Sequence, residues 1–249
     1  MTTTDDVVLY SEAAGVATIM LNRPSARNAI DSALAAGLSA CLREALAAES
    51  VRVILLTGAD PAFCAGLDIK EFTSTQRPPH GATAAITALA DSAKPTIGAI
   101  NGAVATGGLE LALGLDLLIA SDRARFADTH ATVGILPGGG MSARLPRAVG
   151  PRLALDMSLT GRVLGAEEAL RSGLVSRVVP HEELMPVARG IAETIAAQDP
   201  YVIRELLALN RYSGEHSLPE ALAHEFAERE ARRAAGGQLV PKSGIGARP

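Results

Sequence analysis

Tryptophan is absent from the 249 residues, and three tyrosines and four phenylalanines make up the whole aromatic content. The usual markers of a pocket for a large planar ligand are therefore missing. The two cysteines, Cys41 and Cys64, are too few for a disulfide framework. They also stand away from any histidine cluster, so nothing suggests a zinc site, and a reducing compartment fits. No apolar run reaches membrane-spanning length without a glycine or a charge, and the opening "MTTTDDVVLY" has no basic stretch ahead of an apolar core. Neither membrane insertion nor export is expected, and the expected location is cytoplasmic. Charge of one sign never accumulates: 23 Lys and Arg face 27 Asp and Glu, for a net charge of −4. Nucleic acid is accordingly a poor partner.

What is present is apolar content of 48%, enough for a substantial core. Apolar runs predict strands at "VVLY", "VATIML", "VRVILLTG", "PTIGAI", "LDLLIAS" and "LVSRVV". Helical patterns lie between them over Ser32–Ala48, with Asp31 at its start, over His80–Ser92, and from about Gly107. Strands spaced by helices predict an α/β fold with right-handed crossovers. From about Gly150 the sequence turns almost wholly helical, and residues from Arg233 to Pro249 read as a loose tail. These changes divide the chain into a core domain, 1–195, and a C-terminal helical region, 196–249.

Residues 101–115, "NGAVATGGLELALGL", carry a single charged side chain, Glu110. Gly107 and Gly108 follow a strand-like segment and open a helix, where the first N–H groups lack intrahelical acceptors. A thioester carbonyl placed there would have its developing negative charge stabilised by about 3–4 kcal/mol for one well-aimed donor. Glu110 lies three residues after Gly107, less than one helical turn away, so donor and carboxylate can face one ligand. The plainer alternative is that the glycines only pack a helix on a sheet while Glu110 complements the helix dipole. A second junction, "PAFCAGLDIKEF" at 61–72, leaves a buried-looking strand through "CAG", and the N–H of Leu67 supplies a second donor for the same oxygen. Here the alternative is a glycine turn with Asp68 as a helix cap.

Taken in order, "LNRPSARNAI", "GADPAFCAGLDIKEF", "KPTIGAINGAVATGGLELALGLDLLIAS", "FADTHATVGILPGGGMSARLPRAVG" and "LTGRVLGAEEALRSGLVSRVV" resemble the crotonase superfamily, also called the enoyl-CoA hydratase/isomerase family. The resemblance covers about residues 7–215. It implies a crotonase-like α/β spiral of ββα repeats with a C-terminal helical trimerisation region, assembled as homotrimers or dimers of trimers. It also implies an acyl-CoA thioester substrate with no metal or redox cofactor, coenzyme A being part of the substrate. By the same likeness Leu67 and Gly107 hold the thioester oxygen through backbone N–H groups, and Glu110 is the first catalytic glutamate. Ala26 and Arg27, in "SARN", match the strip that passes the CoA adenine and phosphates. Ala65, Asp68 and Ile69 match the segment beside the pantetheine arm, and Gly108 joins this binding set; Arg27 is equally open to a solvated-loop reading. Asp116 falls on a position that looks structural.

The family's hydratases carry a second glutamate about twenty residues after the first, where this chain has His130 in "FADTH". Three roles for His130 stay open: an acid/base partner of Glu110, a residue that recognises a polar acyl group, or a structural histidine satisfied by Asp128. The activity implied is therefore a lyase adding water to a 2-enoyl-CoA. The alternatives are an isomerase or other single-glutamate acyl-CoA lyase, or a non-catalytic acyl-CoA-binding protein. "ILPGGGMSARLPRAVG" reads as a glycine turn with Arg144 supporting the next helix, and the C-terminal "AGGQLVPKSGIGARP" aligns poorly, which leaves Lys242 without an assigned contact.

Overall fold

The computed structural model describes residues 6–237. In chain order the elements are β1 (Val8–Ala13), β2 (Val16–Leu21), α1 (Ser32–Ala47), β3 (Val53–Gly58), β4 (Ala62–Cys64), α2 (Ile69–Thr75) and α3 (Ala82–Thr87). Next come β5 (Thr96–Ile100), β6 (Ala103–Ala105), α4 (Gly107–Leu113), β7 (Leu117–Ser121), β8 (Arg125–Ala127), α5 (His130–Val133), α6 (Met141–Val149) and α7 (Pro151–Thr160). The chain continues through β9 (Val163–Gly165), α8 (Ala166–Ser172), β10 (Arg177–Val179), α9 (Leu184–Ala196), α10 (Pro200–Glu215) and α11 (Leu218–Ala234).

Two sheets result. The larger has the order β1-β2-β3-β5-β7-β10 and the smaller β4-β6-β8-β9. β3 and β4, then β5 and β6, then β7 and β8 each give one strand to each sheet before the chain enters a helix, so the repeating unit is ββα. Neighbouring strands from β2 to β10 in the large sheet run parallel, as do β4, β6 and β8 in the small one. This is the expected α/β spiral.

Every residue of β3, "VILLTG", is buried, because this strand has a covered face on each side. Ile54 and Leu56 pack in the cluster that holds Leu34 and Leu38 of α1, while Val53 and Leu55 pack with Ile97, Ile119 and Leu184, Ala188 and Ala192 of α9. A strand with two dry faces selects a continuous apolar run over an alternating one. Asp31 caps α1 by accepting the Leu34 N–H at 2.8 Å, as its place before the apolar pattern predicts. Among the described residues no helix is long and apolar enough to cross a membrane.

The strands of the small sheet, three residues each, are too short to display a period, and only the resemblance to ββα repeats implies them. Two expectations need correction. The helix expected over His80–Ser92 is confined to Ala82–Thr87, and beyond it i→i+3 bonds from Ala90 to Thr87 and from Ser92 to Leu89 tighten the chain into turns. α11 carries Arg233 and Ala234, so the helix invades the segment read as a tail. The rest of that segment from residue 238, Lys242 included, lies outside the described residues. Contacts divide the chain into one compact unit ending at Pro200 and another starting at Tyr201.

Leu55 is fully buried between strand neighbours and α9. Leu55→Ala should cost about 2–5 kcal/mol through lost transfer energy and a cavity, read as a lower urea midpoint at unchanged slope. An unchanged midpoint would contradict the packing described.

Candidate active site

The parallel strands β4, β6 and β8 lie side by side in that order, and the chain leaves their C-terminal ends through Ala65–Leu67, Thr106–Gly107 and Asp128–His130. Three segments far apart in sequence thus emerge at one edge. The carboxyl ends of parallel strands are where α/β folds expose unpaired backbone groups and place ligands.

Two backbone donors lie close to each other there. Ile30 N–H donates to Gly66 O at 2.7 Å and Asp68 N–H to Ile30 O at 2.9 Å, an isolated parallel bridge around Leu67. The intervening Leu67 N–H faces the opposite way, and among the described residues it meets no acceptor. At the start of α4, Thr106 sits at φ 51°, ψ −114° and supplies no side-chain cap. Its hydroxyl is engaged by that of Thr129 instead, and the Gly107 N–H is likewise without an acceptor among the described residues. A Cβ placed on Gly66 would lie 3.3 Å from the Gly107 nitrogen, and one on Gly107 would lie 3.6 Å from the Leu67 nitrogen. Gly108 has a different duty: a Cβ there would fall 2.1 Å from the Cys64 carbonyl oxygen, so only glycine lets α4 lie this close to β4.

Glu110 projects from the first turn of α4 and is buried. Its Oε1 accepts the Gly139 N–H at 2.7 Å and the Met141 N–H at 3.2 Å, from the loop before α6 and the start of that helix. Its Oε2 lies 4.0 Å from His130 Nε2. The carboxylate is therefore clamped by one oxygen, and the other faces the imidazole across a gap too long for a hydrogen bond.

His130 is held from the other side. Its Nδ1 lies 2.6 Å from Asp128 Oδ1, which also accepts the His130 backbone N–H at 3.2 Å. Asp128 Oδ2 accepts the Ser158 hydroxyl of α7 at 2.6 Å. Burial alone would raise the Asp128 carboxyl, but the hydrogen bonds from His130 and Ser158, with the attraction of His130, hold it below its ordinary value. One ring nitrogen of His130 is thus satisfied by Asp128 and the other faces Glu110.

The remaining expected residues are placed as follows. Arg27 adopts φ 52° at the end of a short 3-10 turn over Pro24–Ala26, and its side chain is exposed without an ionic partner among the described residues. Ala26 is half-buried in the same turn, and Arg27 O accepts the Ala65 N–H at 3.0 Å, which ties this strip to the Leu67 junction. Asp68 caps α2 through the Lys70 and Glu71 N–H groups and pairs with Arg23 at 3.1 Å. Burial opposes its ionisation, but the Glu71 N–H, Arg23 and the Lys70 N–H together hold its carboxyl low. Ile69, next to it, is half exposed. Asp116 takes the structural place its position suggests, Oδ2 accepting the Thr96 N–H and hydroxyl at 2.8 Å. Cys64 is fully buried, and burial pushes its thiol up to about 12, which leaves it inert beside the site.

Sequence reasoning missed Gly139, Met141 and Ser158. Gly139 sat inside a recognised glycine run, but nothing in that run announces a bond to a carboxylate 29 residues earlier. Ser158, thirty residues after Asp128, carries no local signal at all.

With this geometry in place, comparison with known proteins gives consistent results. The sequence model described as enoyl-CoA hydratase/isomerase matches residues 11–231. A protein named as a probable enoyl-CoA hydratase of Mycobacterium leprae is 40% identical over 223 residues, 88% of this chain and 87% of its own length. A carnitinyl-CoA dehydratase of Proteus mirabilis is 40% identical over 207 residues, 81% of this chain and 79% of its own. The crystal structure of an enoyl-CoA hydratase from Mycobacterium tuberculosis H37Rv superposes with a TM-score of 0.77 at 46% identity, over 92% of this chain and 100% of that one.

The depressed Asp128 carboxyl has a pH signature. Its stabilisation is present above the unfolded value of ~3.9 and is lost as pH falls through the lower folded value. By urea unfolding, wild type should exceed Asp128→Asn by about 1–3 kcal/mol at pH 6, and the margin should shrink toward pH 3. A margin that does not change with pH would contradict this assignment.

Proposed function

The chain belongs to the enoyl-CoA hydratase/isomerase family, and on that premise we propose that it is a lyase adding water across the double bond of a 2-enoyl-CoA thioester. The observation that carries the reading is the approach of Glu110 Oε2 and His130 Nε2 to 4.0 Å beside the unpaired N–H groups of Leu67 and Gly107. A water with hydrogen bonds of about 2.8 Å to both side-chain atoms would subtend about 90°, a comfortable angle for one bridging molecule.

In this mechanism the thioester oxygen sits against the Leu67 and Gly107 N–H groups, which stabilise the enolate as it forms; each such donor is worth about 3–4 kcal/mol. Glu110 Oε2 takes a proton from the bridging water as its oxygen bonds to C3. His130, entering with protons on both ring nitrogens, gives the Nε2 proton to C2. The proton left on Glu110 then passes to Nε2, which restores both groups with one hydroxyl on C3 and one hydrogen on C2. The clamp on Oε1 serves this step by leaving a single oxygen to act as base. Arg27, free of ionic partners among the described residues, is the group proposed to meet a CoA phosphate, with Ala26, Ala65 and Ile69 along the strip. No cofactor beyond the substrate's own coenzyme A is needed. A cytoplasmic location and assembly as homotrimers or dimers of trimers belong to the same proposal.

Crotonyl-CoA tests the reading through loss of its conjugated-thioester absorbance. Wild type should remove it rapidly, and Glu110→Gln and His130→Ala should each lower kcat by about 10²–10⁴-fold. Turnover that survives His130→Ala but not Glu110→Gln would replace hydration by a pair with single-glutamate chemistry. Binding of crotonyl-CoA by wild type without any conversion would overturn the short-chain hydratase reading.

A further inference from the structure

We propose that Asp128, locked by Ser158, is the positioning residue that keeps a proton on Nδ1 of His130 and so leaves Nε2 as the ring atom that gains and loses one. The inference rests on the reading of Glu110 and His130 as the proton-transfer pair. Its basis is the complete occupation of the Asp128 carboxylate. Oδ1 accepts both the backbone N–H of His130 and its ring Nδ1, and Oδ2 accepts the Ser158 hydroxyl. With a donor on each oxygen the carboxylate is fixed against rotation, and its burial, at 2% exposure, keeps water from competing.

The chemistry of the donors then settles the ring. An ionised carboxylate offers acceptors only, so the short contact at Nδ1 requires a hydrogen on that nitrogen. The neutral ring is held in one tautomer, with the Nε2 lone pair directed at the space before Glu110 Oε2. A buried carboxylate that orients a histidine through Nδ1 is the arrangement that sets tautomer and ring angle in hydrolase triads. Here the atom served is a second carboxylate's neighbour instead of a serine. Ser158 comes from α7, an element outside the three strand ends that build the site, and without it Oδ2 would be a buried charged atom with no donor.

Substitutions separate these roles. Asparagine at 128 can still turn its oxygen to both donors of His130, because turning its amide the other way would set N–H against N–H. Alanine offers neither. In nitrogen-15 spectra of the whole protein, with the His130 signals assigned by their loss in His130→Gln, the neutral ring should be Nδ1-protonated in wild type and Asp128→Asn and lose that preference in Asp128→Ala. In crotonyl-CoA turnover, Asp128→Ala should lower kcat by about 10–100-fold at nearly constant KM, and Ser158→Ala less, with Ser158→Thr restoring the wild-type value. Should Asp128→Ala not fold, Ser158→Ala against Ser158→Thr carries the kinetic test and the wild-type spectrum carries the tautomer. A wild-type ring protonated on Nε2, or a Ser158→Ala kcat equal to wild type, would overturn the proposal. If the spectra follow expectation while wild type leaves crotonyl-CoA unchanged, the hydratase reading fails and the positioning role stands.

Discussion

The close approach of one helix start to one strand end governs this molecule. α4 approaches β4 so closely that a methyl group on Gly108 would lie 2.1 Å from the Cys64 carbonyl oxygen. That contact holds the Gly107 N–H near the Leu67 N–H and sets where Glu110, two residues further in the same turn, enters the protein. A side chain at 108 would force helix and strand apart by more than an ångström and separate the Gly107 N–H from the Leu67 N–H. Packing and chemistry are here the same constraint, since the glycine that lets the helix dock also sets the spacing of the site.

Burying Glu110, His130 and Asp128 together is costly unless each polar atom has a partner. Among the described residues every fully enclosed side-chain nitrogen or oxygen has a hydrogen bond, and Glu110 Oε2 and His130 Nε2, which have none, are not fully enclosed. The partners are drawn from distant places: two backbone N–H groups around Gly140 for Glu110, a serine of α7 for Asp128, and Asp128 itself for His130. Each acts on the atom facing away from the gap between Glu110 and His130. The inner atoms are left without direct partners inside an otherwise satisfied network, and such a network is rigid because no member can turn without stranding another.

Much of this was legible in the sequence. The strands of the large sheet could be read because they are five or six residues long over most of their number and run apolar between covered faces, as "VILLTG" does. Glu110 drew attention as the one charge in a small-residue stretch, and His130 as a departure at the place of an expected glutamate. The small sheet could not be read from "AFC", "AVA" or "RFA", each too short for a periodic signal. Gly139 and Ser158 stayed hidden for another reason: each contributes one hydrogen bond across about thirty residues, and such pairing is written in the path of the chain rather than in any local pattern. The shortened α3 shows the reverse, a good helical pattern halted by i→i+3 turns ahead of Pro95.

The two sheets also differ in what they can tolerate. The large sheet carries the long buried strands, and a change there is felt through cores on both of its faces. His130 stands just past a three-residue strand, at the head of a four-residue helix, with Nδ1 against Asp128 and Nε2 4.0 Å from Glu110. The ring is thus the keystone between the Asp128–Ser158 pair and the carboxylate of Glu110. Exchanging it would leave the backbone N–H groups of Leu67 and Gly107 in place but strip Asp128 Oδ1 of its ring donor, so the change would be felt along one hydrogen-bonded chain from Ser158 to the gap before Glu110.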